Sequence, residues 1–190
     1  MFRPTYPICT PRLTLRPVTL DDLDDVHAYQ CRPDVVRWML DARPRTREES
    51  GASVAAMAGE DVLRAEGDCL TLAVAIDAGV IGNVELVWRS QLHRTAELGY
   101  VFHPDHGGRG LATEAATALL DWGFSEMGLH RIYGRCHARN EASARLMTRI
   151  GMRREAHHVE SYLFRGEWAD QLVFAILARE WRSRAAAAGR

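Results

Sequence analysis

Three glycines in four residues, Gly107, Gly108 and Gly110, stand directly before an apolar helical pattern that runs from Ala112 to Met127. Glycine leaves backbone N–H groups unobstructed, and the positive end of a helix dipole behind them favours an anion. The turn therefore reads as a phosphate or pyrophosphate site. Two common phosphate motifs do not fit it. A dinucleotide fingerprint needs a glycine where Thr113 stands, and a P-loop needs a lysine, which the chain lacks altogether. Just upstream, Glu97 lies in a strand-like stretch ending at Phe102. Alternation turns it to the face opposite Ala96, Leu98, Tyr100 and Phe102, where a carboxylate either looks into a cleft or meets solvent. His103 and His106 suggest a metal pair, but no further ligand stands at suitable spacing, so no metal is expected. Asn140 and Ser143 open a later short helix, where Asn and Ser are also ordinary capping residues.

These residues need a scaffold, and the hydrophobic pattern supplies one. Arg12-Leu13-Thr14-Leu15-Arg16-Pro17 alternates as a first strand, and Thr19 with Asp21 and Asp22 opens a helix. Thr46-Arg47-Glu48-Glu49 starts a second helix, expected to reach about Arg64. Cys69 to Ile76 and Val80 to Trp88 read as two strands joined by the hairpin signal Asp77-Ala78-Gly79. Thr95 to Phe102 follows as the next antiparallel strand. The glycine turn and its helix, stopped by Gly128, then lead to a strand at His130 to Cys136, a strand–helix–strand unit whose two strands run parallel. Ala142 to Ile150 is a short helix, and Val159 to Phe164 with Gln171 to Leu177 close the chain as a hairpin. One domain is expected over residues 1–182, with residues 183–190 a loose tail.

Composition bounds the function. At 190 residues and 47% hydrophobic, the chain suits one globular domain with a real core. Its 24 basic residues, all arginine, balance 25 acidic ones, so no general pull toward nucleic acid is expected. Cys9, Cys31, Cys69 and Cys136 show no pairing pattern and read as reduced thiols. No apolar run reaches membrane-spanning length and no signal-peptide pattern opens the chain, so a cytoplasmic protein is expected.

Three stretches, in order, carry a resemblance: Ala96-Glu97-Leu98-Gly99-Tyr100, Gly108-Arg109-Gly110-Leu111-Ala112-Thr113-Glu114-Ala115, and Asn140-Glu141-Ala142-Ser143-Ala144-Arg145-Leu146-Met147 with Gly151-Met152. The chain resembles the GNAT superfamily of acyl-CoA N-acyltransferases over nearly its whole length. Within it, the likeness is to the RimJ/RimL branch, which acetylates ribosomal-protein N-termini. The family signature, Gln or Arg, two residues, Gly, one residue, then Gly or Ala, ends on Gly110-Leu111-Ala112. Its first position falls on Gly107, which removes a side-chain donor near the phosphates. A glutamine restored there is expected to keep or tighten cofactor binding.

The resemblance implies an α/β (α+β) GNAT fold. Its sheet is mixed and mostly antiparallel, with about seven strands, helices on both faces, and fourth and fifth strands that splay apart. Acetyl-CoA is the implied acyl donor, its pantetheine pairing with Val101, Phe102 and His103, its pyrophosphate on Gly108, Arg109, Gly110, Leu111, Ala112 and Thr113, with Asn140 also contributing. Glu97 becomes the candidate base for the amine, with a backbone N–H near Val101 or Phe102 facing the oxyanion, and Ser143 the candidate for hydrogen-bonding the leaving thiolate. The tyrosine acid of many relatives is Met147 here, and a thioether cannot donate a proton. The implied partner is an amine, favoured as a protein N-terminus with a small amine as the alternative; a homodimer is compatible with it. A non-catalytic acyl-CoA-binding regulator is the rival outside enzymology.

Overall fold

The computed structural model of the protein describes residues 1–39 and 43–188, with only the backbone for 185–188. Eight strands form one sheet in the order β1-β2-β3-β4-β5-β6-β8-β7: β1 Ile8–Cys9, β2 Thr14–Pro17, β3 Cys69–Ile76, β4 Gly79–Ser90, β5 Thr95–Phe102, β6 Arg131–His137, β7 Arg153–Phe164 and β8 Glu167–Leu177. Every neighbouring pair is antiparallel except β5 with β6. The strand beyond the expected seven is β1, two residues pairing Ile8 with Leu15 and Cys9 with Thr14. It is too short to show an alternating pattern.

Helices α1 Leu23–Gln30, α2 Pro33–Val36 and α3 Arg47–Ala58 fill the connection from β2 to β3. Thr46 caps α3 in a closed capping box, accepting from the Glu49 N–H at 3.2 Å while Glu49 accepts from the Thr46 N–H at 2.8 Å. The helix ends at Gly59 and does not reach Arg64. The chain there turns back as a loop, where Leu63 and Phe2 exchange backbone hydrogen bonds of 2.9 and 2.8 Å. Val26, Tyr29 and Val54 bury one face of the sheet with Ala73 and Val80.

On the other face lies α4 Leu111–Ser125, followed by α5 Glu141–Arg149 and α6 Ala178–Ala188. Leu119, Leu120, Ala115 and Ala116 recur at helical spacing and are fully buried against Leu86, Leu98 and Ile132. Each such leucine contributes about 1.5–3 kcal/mol of transfer free energy. Helix α6 takes in most of the expected tail. Its Trp181 indole donates to Asp121 at 2.5 Å and its Glu180 pairs with Arg153, which ties the first turn of α6, ahead of that tail, to α4 and β7. Gly189 and Arg190 lie outside the described residues, as do Leu40, Asp41 and Ala42.

The expected splay is present. β5 and β6 pair only over Thr95–Arg131, Ala96–Ile132 and Glu97–Tyr133. Beyond Glu97, β5 continues to Phe102 on β4 while β6 continues to His137 on β8. The strand edges from Leu98 and from Gly134 onward therefore face a gap, with α4 beginning at its far end.

Candidate active site

The gap opens into a cleft of about 740 Å³ lined by β4, β5, β6, α2 and the first turns of α4 and α5. At one end stands the glycine turn. Gly108 (φ 72°) and Gly110 (φ 77°) are both left-handed, a region costly for other residues, and Gly110 serves as the N-cap of α4 without a side-chain cap. Among the described residues, no backbone carbonyl accepts from the N–H groups of residues 108–113. A Cβ on Gly108 would meet nothing within 4 Å. Unpartnered donors, a helix N-terminus and open space above them fit a pyrophosphate. Arg12 fixes the turn from outside, donating to the Arg109 carbonyl at 2.9 Å and to Glu114 in the first turn of α4 at 2.7 Å. Leu111 is core, whereas Ala112 lines the cleft.

Gly107 departs from expectation for a steric reason. It closes the 3-10 turn Pro104–His106 by donating to the Pro104 carbonyl at 2.8 Å, and a Cβ there would stand 2.8 Å from that same oxygen. A glutamine cannot be added without opening the turn. Gly107→Gln is therefore expected to weaken acetyl-CoA binding, not tighten it, and titration calorimetry reads the sign.

Along the split, main-chain groups alternate between the two edges of β5. The His103 N–H donates to the Ile81 carbonyl at 2.8 Å, so His103, and Val101 by the same alternation, turn to β4. The groups facing the gap belong to Leu98, Tyr100 and Phe102. Of the three residues expected to pair with pantetheine, only Phe102 is so placed. The reason is register, which a strand pattern does not reveal.

Asn140 caps α5, its Oδ1 accepting from the Ser143 N–H at 3.1 Å, and the residue lines the cleft. Ser143 Oγ lies 2.8 Å from the Tyr100 hydroxyl. Burial holds that phenol well above its ordinary pKa, so it stays protonated. Tyr100 was not among the sequence candidates, because its strand position read as core. Met147, where many relatives carry tyrosine, is buried with its sulfur against Gly134; a Cβ on that glycine would come within 2.8 Å of it.

On the opposite face Glu97 does point into the cleft, but its carboxylate is engaged. Arg135 Nε donates at 2.7 Å, Arg89 Nε at 2.9 Å and the Tyr133 hydroxyl at 3.2 Å. Burial raises its pKa, yet the two guanidiniums outweigh that and hold it below the usual carboxylate value. Sequence reasoning missed its neighbour Glu85 on β4, which pairs in register with Gly99. A Cβ on Gly99 would collide with the Glu85 carboxylate. The available signal was the isolated glycine inside a strand, a mark of close approach. Burial, then the nearby Glu60 and Glu97 carboxylates, push Glu85 above its ordinary pKa.

The aromatic Trp38 and His137 line the cleft. The Trp38 and His137 rings lie 4.7 Å apart, and Phe164 and Tyr162 continue the row at 5.0 and 6.3 Å from His137. His137 Nδ1 accepts from the Arg139 N–H at 3.0 Å, and burial, then Arg139, lower its pKa. No group of three or more metal-type ligands occurs among the described residues.

Comparison with known proteins gives a consistent picture. The acetyltransferase (GNAT) domain family matches residues 12–153. The uncharacterized N-acetyltransferase YnaD of Bacillus subtilis (strain 168) is 34% identical over 92% of this chain and 98% of its own. The spermidine N(1)-acetyltransferase of Escherichia coli (strain K12) is 26% identical over 88% of this chain and 87% of its own. Among solved structures, a GNAT-family acetyltransferase from Bacillus anthracis superposes with a TM-score of 0.80 at 32% identity, covering 90% of this chain and 98% of that one.

Proposed function

The chain belongs to the GNAT acetyltransferase family and is an acetyl-CoA-dependent N-acetyltransferase, and from that premise we propose that its acceptor is the α-amine at the N-terminus of a polypeptide. The observation that carries this reading is the charge balance of the cleft. Of the described carboxylates lining it, Asp34 is paired with Arg32 and Glu97 with Arg89 and Arg135. Only Glu85 has no hydrogen bond or ion pair among the described residues. One uncompensated carboxylate suits one ammonium group, whereas a polyamine brings several. Trp38 and His137, which line the cleft with their rings 4.7 Å apart, offer apolar area for a side chain next to that amine. An α-amine also gives up its proton more readily, with an ordinary pKa of about 7.7–8.0 against about 10.4 for a lysine-type amine.

Acetyl-CoA supplies an activated acetyl group on a thioester. In this reading the N–H groups of Gly108 to Thr113 hold its pyrophosphate, and the exposed edge at Leu98, Tyr100 and Phe102 takes the pantetheine amides and gives the oxyanion a backbone donor. The Asn140 amide adds a donor nearby. Ser143, hydrogen-bonded to Tyr100, relieves charge on the departing sulfur. Glu97 keeps Arg89, Arg135 and Tyr133 in place at the base of the cleft. No acyl-enzyme is formed, and the donor places the reaction in the cytoplasm. The spermidine enzyme among the relatives supports the small-amine alternative. The two acceptors are separated by kcat/KM for a panel of short peptides with free N-termini beside spermidine and spermine. At least about a tenfold preference (~1.4 kcal/mol) for a peptide is expected; a preference of that size for the polyamines would reverse the assignment.

A further inference from the structure

We propose that Glu85, not Glu97, takes the proton from the acceptor amine. This rests on the acetyltransferase reading above and identifies the group that makes the amine reactive. The carboxylate of Glu85 lies across the backbone of β5 at Gly99, and Gly99 is glycine because a Cβ would occupy that space. Gly99 stands two residues beyond Glu97, the last residue of β5 paired with β6. Glu85 is thus held at the mouth of the split, on the same sheet face as Glu97 and opposite the face of Tyr100 and Ser143. That arrangement separates an amine-side carboxylate from a sulfur-side hydroxyl pair.

The surroundings of the two glutamates set their proton affinities apart. Around Glu97, two guanidiniums and the Tyr133 hydroxyl occupy both oxygens, and a proton there would displace at least one of them. Around Glu85 stand Glu97 on β5, Glu60 after α3, Arg89 on its own strand, and the neutral Cys69 thiol and Tyr29 phenol from β3 and α1. Two like charges and burial act against one arginine that does not reach hydrogen-bonding distance. Glu60 is itself hydrogen-bonded to the Thr71 hydroxyl and does not compete as an acceptor in the cleft. A carboxylate whose pKa is raised is better matched to an ammonium than one whose pKa is held down.

The step balances simply. One ammonium proton passes to the Glu85 carboxylate and then to solvent. The freed nitrogen lone pair forms the C–N bond as the thioester C–S bond breaks; the bond pair leaves on sulfur, which takes a proton from the Tyr100–Ser143 pair, and solvent returns a proton to that pair. The second proton on nitrogen goes to water, and one proton is released per acetyl transferred.

The test combines turnover with a titration that needs no acyl donor. In protein carrying carboxyl-13C glutamate, the signal lost in Glu85→Gln is expected to titrate above the ordinary glutamate range, and the signal lost in Glu97→Gln below it. Glu85→Gln should lower kcat by about 10²–10⁴-fold with acetyl-CoA affinity unchanged, and the defect should shrink as pH rises and the acceptor deprotonates unaided. Glu85→Asp, still ionisable, should recover part of the loss, which separates chemistry from misfolding. Near-wild-type turnover of Glu85→Gln, a defect independent of pH, or a Glu85 signal titrating below the ordinary range would each overturn the assignment. Wild-type protein that acetylates no amine would instead sink the functional reading, and the base with it.

Discussion

Gly110→Val is expected to raise the dissociation constant for acetyl-CoA by about 10²–10⁴-fold while the fold survives. Gly110 is the N-cap of α4 at φ 77°, with the N–H groups of Leu111, Ala112 and Thr113 directly behind it and no side-chain cap. A Cβ there would stand 3.6 Å from Arg12 Nη2, so a valine crowds the guanidinium that fixes the turn. Its branched Cβ also resists the left-handed backbone by about 1–2 kcal/mol, which turns the N–H groups behind it out of line. Hydrogen bonds to a charged group are worth about 1.5–3 kcal/mol each, so losing two accounts for the predicted range. Strain alone can be subtracted. Gly128, at the other end of α4, is also left-handed (φ 62°) with nothing within 4 Å of a built Cβ. Gly128→Val should cost similar stability and leave the dissociation constant unchanged. Equal affinity losses in the two variants would mean that the glycine turn is structural only.

The second large effect concerns the departing sulfur. Ser143→Ala and Tyr100→Phe should each lower kcat by about 10²-fold with little change in acetyl-CoA affinity. The two hydroxyls are 2.8 Å apart and both half-buried, so they act as one donor unit. The double variant should therefore be scarcely worse than either single one, a coupling that independent contributions would not give. A thiolate must gain a proton, and the raised pKa of Tyr100 keeps the phenol protonated, a hydrogen-bond donor across the working range. Strictly additive losses would show that Ser143 and Tyr100 serve packing separately.

Much of this architecture was legible in the residues. The glycine turn before an amphipathic helix, the antiparallel run from Cys69 to Phe102 and the parallel return at Arg131 all carry local signals, and the structure has each of them. Strand β1 was not legible because two residues cannot show an alternation, and the end of α3 was not because it is decided by a partner distant in sequence, the Phe2–Leu63 bridge. The site shows the same division. Face alternation placed Glu97 in the cleft correctly but could not show Arg89 and Arg135 converging on it from two strands. Nor could it show which edge of β5 each main-chain group meets: those of Val101 and His103 turn to β4, and those of Leu98, Tyr100 and Phe102 face the gap. Glu85 needed the register of β4 on β5, since only that sets it over Gly99.

The most direct test of the central claim, that this cleft moves an acetyl group from acetyl-CoA to an amine, is intact-mass spectrometry of a pooled acceptor library, with free thiol counted in the same reaction. The library holds peptides with free N-termini, spermidine, spermine and small monoamines. The account predicts a 42 Da gain on an amine-bearing acceptor, one thiol released per acetyl transferred, and both signals lost in Gly110→Val. Tight binding of acetyl-CoA with neither acetylated product nor thiol release on any amine would contradict it, and would leave the chain an acyl-CoA-binding protein without transfer.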